Sequence, residues 1–591
     1  MGVVFMSRRK PEKPEGDIAA AGWGSDAIAQ MLRRLDVGYV ALNPGSSFRG
    51  LHDSLVNHLG NADPQMLLCL HEEHAIAIAH GWAKVTGKPM AVFLHANVGL
   101  MHASMAIYNA WCDRVPMLIF GATGPVDADK RRPWIDWIHT SRDQAALVRP
   151  FVKWDDQPAS LEASLASMMR ADMITRTVPE APVYVCFDVS VQEAAIVDQP
   201  KLPNPVRFQR PRPPAIPPES LEKLCTMLRE AKSPIILMGR VGRDPLDWAY
   251  RLAMAEYLKA RVLTDIKTGA AFPTGHPLHT GGPGFFLSSE GAVALSNADL
   301  ILCIDWVDPA GTLKQAQVSE GAKVIQISMD HQLSNGWSLD HQGLAHADLH
   351  IAATADLAVR EICRSLGIKT PEPVGEKSVR SSKAQPQGKM DTRALAAALE
   401  HGLEGERITL VRLPLGWSGE DWRFQHPLDY LGYDGGAGIG SGPGMTIGAA
   451  LALQDTGRIP VAVLGDGDLM MGASALWTAA RYGVPLLIVV ANNQSFFNDE
   501  VHQERVAKDR NRPIENRWIG QRIAGPDIDI AGIARAQGLV GIGPVTEATD
   551  LITSLREAVK SVKAGHSVVI DARIQPGYAK SMAAGMTDSA E

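Results

Sequence analysis

One stretch constrains this chain more than any other: VAVLGDGDLMMGASALWTAARYGVPLLIVVANNQSFF, residues 461–497. An apolar run at 461–464 ends in Gly465-Asp466-Gly467, a helical pattern follows, and a second apolar run at 486–490 ends in Asn492-Asn493. Asp466 and Asn493 are 27 residues apart, the length of one strand–helix–strand unit. Such a unit brings both side chains to the C-terminal edge of neighbouring parallel strands, where ligands of open α/β sheets bind. A carboxylate and an amide oxygen there suit a hard cation, and Mg²⁺ prefers a partial protein shell completed by phosphate oxygens and water. Gly465 and Gly467 allow a diphosphate to approach the backbone, and the following helix N-terminus favours anions.

The same alternation runs through the chain. VGYVALNP, MLLCL, AVFLHA and MLIFGA, then PIILMGR, ADLILCID and AKVIQIS, then RIPVAVLGDG, VPLLIVVANN and HSVVIDARI read as buried strands separated by helical patterns. Two stretches interrupt them: residues 196–219 hold eight prolines, and residues 366–390 are polar without an apolar period. The expected fold class is therefore α/β, with three doubly wound parallel-sheet domains at 18–195, 215–366 and 391–580. A chain of 591 residues is long enough for several cores. Its net charge of −7 comes without any long basic run, which argues against nucleic-acid or anionic-membrane partners. No apolar run approaches a membrane span, and the N-terminal apolar stretch is too short for a signal peptide. Six scattered cysteines without a C-x-x-C pair fit reduced thiols, and a cytoplasmic location is expected.

The Gly-Asp-Gly, the Asn pair and the domain order resemble the thiamine-diphosphate-dependent family that includes acetolactate synthase, benzoylformate decarboxylase and benzaldehyde lyase. SALWTAARYGVPLLIVVANN is especially similar to the decarboxylase. The resemblance spans nearly the whole chain, in the order pyrimidine-binding, central and diphosphate-binding domain. It implies thiamine diphosphate and Mg²⁺ as cofactors. Asp466 and Asn493 would bind the metal through side chains and Ser495 through its main-chain carbonyl. Gly467 and Asp468 would lie at the diphosphate. In the run 435–440, Gly438 would offer a carbonyl to the pyrimidine N4′, and Ile439 would wedge the cofactor into a bent shape.

In the first domain, MLLCL leads into His71-Glu72-Glu73-His74-Ala75 and a helix. Thiamine diphosphate needs a carboxyl group at N1′ of its aminopyrimidine, and a carboxyl group in an apolar pocket can hold or share a proton near neutral pH. The resemblance selects Glu72. Glu73 reads as an acidic residue favouring a helix N-terminus.

Around the reacting carbon, the resemblance points to Ser46 and His95, with Asp499 standing where related decarboxylases carry an acidic residue. Each keeps a structural alternative: Ser46 as a turn cap, His95 as a satisfied histidine at a strand end, and Asp499 as part of a solvated helix face. His102 is a second histidine where the family has another residue type. The implied activity is 2-oxo acid decarboxylation through a C2 carbanion and an enamine. Alternatives are a carboligase or carbon–carbon lyase of acetolactate synthase, benzaldehyde lyase or 2-hydroxyacyl-CoA lyase type, and a non-catalytic cofactor binder. Substrates would be small 2-oxo acids, 2-hydroxy ketones or aldehydes. The resemblance implies a homodimer or homotetramer, and the sequence leaves FAD in the central domain undecided.

Overall fold

The computed structural model describes residues 12–198, 200–330, 344–381 and 384–577. Three parallel sheets follow one another along the chain. The first has six strands in the order β2-β1-β3-β4-β6-β5: β1 Tyr39–Leu42, β2 Gln65–Leu68, β3 Ala91–Leu94, β4 Met117–Thr123, β5 Asp155–Asp156 and β6 Pro182–Asp188. The second has the order β11-β10-β9-β7-β8, from β7 Pro234–Met238, β8 Arg261–Leu263, β9 Leu300–Ile304, β10 Lys323–Ile327 and β11 Leu349–Ile351. The third has the order β12-β13-β14-β16-β15, from β12 Ile408–Arg412, β13 Ile459–Gly465, β14 Leu487–Asn492, β15 Val540–Val545 and β16 Val568–Arg573. Strands β4, β6 and β14 are buried along their whole length. That is why they read as unbroken apolar runs rather than alternating ones. We place the domain limits at 18–195, 215–366 and 391–580 from the linker compositions; residues 578–580 lie outside the described residues.

Six helices position the site: α1 Glu72–Thr86, α2 Ala96–Cys112, α3 Gly442–Leu453, α4 Asp466–Met471, α5 Ala475–Tyr482 and α6 Phe497–Asp509. Helix α1, from the first sheet's domain, lies directly on α3 of the third. Two glycines permit that approach. A Cβ on Gly81 would lie 2.0 Å from the Met445 carbonyl oxygen, and one on Gly448 would lie 1.8 Å from that of Ile78. Polar bonds register the same interface: His74 Nε2 meets Ser474 Oγ at 2.8 Å, Thr478 donates to the Leu68 carbonyl, and the Tyr482 hydroxyl accepts from the Leu68 amide. One continuous apolar core therefore runs from the first sheet through α1 and α3 into the third. Among the described residues, no helix is long and apolar enough to cross a membrane. The six cysteines are free, and all but the half-buried Cys112 are buried.

Candidate active site

Strands β13 and β14 run in register, with Gly465 beside Ala491, so Asp466 and Asn493 emerge together at their C-terminal edge. The backbone amides of Gly467, Gln494 and Ser495 lie near the Asp466 carboxylate and draw its pKa down. Its Oδ2 is nonetheless buried without a hydrogen-bond partner. Burial pushes its pKa up from 3.8 to about 6, against the pull of those amides. A buried, unsatisfied carboxylate oxygen costs about 1–3 kcal/mol or more, and a cation placed there removes that cost. The donor set fits a hard divalent ion. Asn493 is held for the task, since its Oδ1 accepts the Ser495 amide at 3.0 Å. The neighbouring Asn492 turns inward, donating to Asp571 at 2.8 Å.

The two glycines differ in purpose. The space above Gly465 is open, whereas a Cβ on Gly467 would come within 2.6 Å of the Phe496 ring. Gly467 therefore makes room for an aromatic side chain as well as for a ligand. Asp468, expected at the diphosphate, is engaged by neighbouring groups of the chain. Its Oδ2 pairs with Arg412 Nε at 2.7 Å, and its Oδ1 accepts the amides of Gly440 and Gly442 at 2.6 and 3.3 Å. Arg412 is fully buried, bonds Asp434 as well, and lies 4.1 Å from the Tyr433 ring centre. Removing one member of such a buried pair costs about 3–5 kcal/mol. Asp468 thus anchors the glycine-rich run. Asn109 of α2 stitches the same run from the other side, donating to the Gly438 carbonyl at 3.0 Å and accepting its amide at 3.2 Å. Ile439, the expected wedge, is half-buried beside it.

On the first sheet, the chain leaves β2 and caps α1 with His71, whose Nδ1 accepts the Glu73 amide at 3.2 Å. The first two helical residues then diverge. Glu72 is buried and faces α2, with Oε2 3.0 Å from His102 Nδ1. Glu73 faces the third domain: burial raises its pKa, the Asp468 charge adds to the rise, and a Cβ on Gly440 would lie 3.4 Å from its Oε1. Burial lowers the His74 pKa to about 4, leaving that ring neutral at its bond to Ser474.

His95 ends β3, where burial lowers its pKa, His139 and Arg132 push it the same way, and Glu72 opposes them. Its Nδ1 lies 2.9 Å from Ser47 Oγ, which also accepts the Ala96 amide at 3.1 Å. The Ser47 backbone amide also donates to Nδ1 at 3.4 Å, which makes Nδ1 the acceptor, so the Ser47 hydroxyl donates to it and the neutral ring carries its proton on Nε2. Gly45 makes this packing possible, since a Cβ there would come within 2.3 Å of the His95 side chain. The His139 ring stands 4.8 Å from His95 at 89°, on a segment that Asn97 holds through the Ile138 carbonyl at 3.1 Å.

Two expected residues each have a more buried neighbour in the chain. Ser46 is exposed, and the serine against His95 is Ser47. Asp499 is exposed on α6, and the buried carboxylate is Glu500, which accepts from Ser495 Oγ at 2.6 Å and faces Arg517 and Arg522 at 3.4 Å. Glu72 and His95 share the first sheet's edge; Asp466, Asn493 and Ser495 share the third sheet's edge. Ser47, Glu500, Asn109 and His139 had no signal of their own in the sequence. Only the Ser-Ser and Asp-Glu doublets hinted that a one-residue choice was being made.

Three family profiles match in chain order. The thiamine pyrophosphate enzyme N-terminal TPP binding domain matches residues 22–147, the central domain 221–361, and the C-terminal TPP binding domain 415–572. The acetolactate synthase large subunit of Lactococcus lactis is 24% identical over 520 residues, covering 85% of each chain. Benzoylformate decarboxylase of Pseudomonas aeruginosa is 24% identical over 493 residues, covering 80% of this chain and 86% of that one. The solved benzoylformate decarboxylase of Polynucleobacter necessarius shares the fold, with a TM-score of 0.74 and 21% identity over 95% of this chain and 100% of that one. With three family domains in order on three parallel sheets, the chain belongs to the thiamine pyrophosphate enzyme family and is a thiamine-diphosphate-dependent enzyme.

Proposed function

We propose that this enzyme decarboxylates a 2-oxo acid in the manner of benzoylformate decarboxylase, using Mg²⁺ to seat its cofactor. The observation that carries the reading is His95, whose Nδ1 is taken by Ser47 at 2.9 Å and whose Nε2 is thereby set up as the working nitrogen. Thiamine diphosphate, when bound, supplies a thiazolium carbon that joins a carbonyl group and accepts the electron pair of the bond that breaks. The remaining work belongs to the chain. Asp466 and Asn493, with the Ser495 carbonyl, would hold Mg²⁺ against the diphosphate. Glu72 would hold and move a proton at N1′ of the pyrimidine, and the Gly438 carbonyl would accept from N4′. His95 Nε2 would deliver a proton to the substrate-derived carbon once carbon dioxide has left. Phe496, beside Gly467, gives an aromatic side chain to that neighbourhood.

A second copy of the chain completes this reading. Glu72 contacts α2, while the cation seat contacts the loop after β14, and exposed Leu70, Met101, Met105 and Met471 flank the two half-sites. Apolar side chains left open beside buried polar groups support a dimer or tetramer. The free cysteines suit a reducing cytoplasm. Equal 24% identity to acetolactate synthase supports carboligation as the second reading.

A panel of 2-oxo acids and 2-hydroxy ketones with thiamine diphosphate and Mg²⁺, read by product mass, separates the two. Aldehyde plus carbon dioxide is the expected result. Ligated products without free aldehyde overturn decarboxylation. Glu72→Gln should keep cofactor affinity and lose about 10²–10⁴-fold in exchange of the cofactor's C2 proton; Glu73→Gln should be mild. Unimpaired exchange in Glu72→Gln removes Glu72 from its role.

A further inference from the structure

The Glu72 side chain is only 7% exposed, yet its hydrogen-bond partner His102 is 51% exposed. The carboxyl group is closed in on its other side: a Cβ on Gly99 would lie 3.1 Å from Oε1 and 3.2 Å from Cγ. Gly99 and His102 are three residues apart on α2 and so share a face. One is bare enough to let the carboxyl group in, and the other carries the imidazole that contacts it. His71 stacks on the His102 ring at 4.9 Å and 21°. His71 is itself fixed as the cap of α1 through the Glu73 amide. A buried acid is thus joined to an open imidazole whose plane is held by a second imidazole. Among the described residues, Glu72 and His71 are titratable groups in contact with His102.

We propose that His102 is the proton conduit of Glu72, carrying protons between the buried carboxyl group and the open side of the site. The inference rests on the reading of Glu72 as the group at the cofactor's N1′. The step is a proton transfer alone. An O–H bond of Glu72 breaks as the Nδ1 lone pair of His102 takes the proton, and the imidazolium releases its Nε2 proton to water. The return runs in reverse, no electrons change hands, and water is the only co-reactant. His102 therefore acts through Glu72, whereas His95 serves the substrate.

The test uses the full-length protein in three forms: His102→Ala, His102→Asn and Glu72→Gln. Asparagine keeps a hydrogen-bond donor for Glu72 but cannot relay a proton. In the holoenzyme, both His102 variants should slow deuterium exchange at the cofactor's C2 by about 10–100-fold. Imidazole added to the buffer should restore His102→Ala. Cofactor affinity by calorimetry should change less than about threefold, because Glu72 stays in place. In the cofactor-free protein, the infrared carboxyl band assigned by its loss in Glu72→Gln should titrate together with the imidazole band assigned by its loss in His102→Asn. Full exchange in His102→Asn, absence of imidazole rescue, or independent titration of the two bands overturns the conduit. Equal exchange in the unaltered enzyme and Glu72→Gln overturns the reading of Glu72 beneath it, a separate and recognisable failure.

Discussion

The first and third sheets present the same local design but differ in how their acidic residues are partnered: Glu72 contacts His102, whereas Asp466 keeps Oδ2 buried without a partner. In each, a buried strand ends, a short polar turn follows, and a helix begins with acidic residues. At the first sheet's edge Glu72 pairs with His102, His95 with Ser47 and His74 with Ser474, while His74 Nδ1, Asn97 Oδ1 and His139 Nδ1 stay buried without a partner. At the third sheet's edge Asp466 keeps an oxygen buried and without a partner, and its carboxyl group titrates near 6. A carboxyl group paired with a side chain is presented in a fixed orientation. A buried carboxylate oxygen left without a partner suits a bound cation.

The largest effect should come from removing the unpartnered carboxylate. Asp466→Ala should abolish Mg²⁺-dependent binding of thiamine diphosphate, because the diphosphate loses its neutralising cation. Unchanged affinity by calorimetry would falsify the metal assignment. The same carboxyl group predicts a pH dependence. Its metal-free folded value of about 6 lies above the ordinary 3.8. The proton therefore stabilises the metal-free fold, fully below about pH 4 and no longer above about pH 6. Proton and cation then compete, and Mg²⁺ affinity should fall about tenfold per pH unit below 6. A flat affinity between pH 7 and pH 5 would contradict that.

A smaller effect sharpens the contrast between neighbours on α6. Glu500→Gln weakens the partner of Ser495 and leaves Arg517 and Arg522 facing a neutral group, so cofactor affinity should drop about tenfold. Asp499→Asn should change it less than about twofold, since that side chain is exposed. The reverse order would restore the acidic role to Asp499.

The smallest effect belongs to the first edge. Ser47→Ala leaves the His95 Nδ1 without the Ser47 hydroxyl, so the ring loses its fixed tautomer and turnover should fall several-fold with cofactor affinity intact. Ser46→Ala should leave turnover unchanged. His95→Ala should cost more than either and remove a limb of the pH–rate profile. If all three variants turn over like the unaltered enzyme, the histidine leaves the mechanism.

The sequence by itself determined the parallel three-sheet architecture. Buried parallel strands require unbroken apolar runs, and MLIFGA and LLIVVAN state them outright. It also brought Asp466 and Asn493 to one edge, because one strand–helix–strand unit leaves a single way to bring its two strand ends level. Glu72 was singled out over Glu73 by the family resemblance of the His71–Ala75 segment, not by apolar periodicity. Only the tertiary structure decided which member of each doublet turns inward. Ser46 or Ser47, and Asp499 or Glu500, differ by about 100° around a helical turn. Which direction is buried depends on the end of β3 and on the segment 517–522, both distant in sequence. The same holds for Asp468, spent on Arg412 across two strands, and for His102, whose meaning comes from α1 lying beside α2. Apolar periodicity is a local property and survives in one dimension. The partner of a polar side chain is chosen by packing, and packing is written in contacts that the linear sequence does not place side by side.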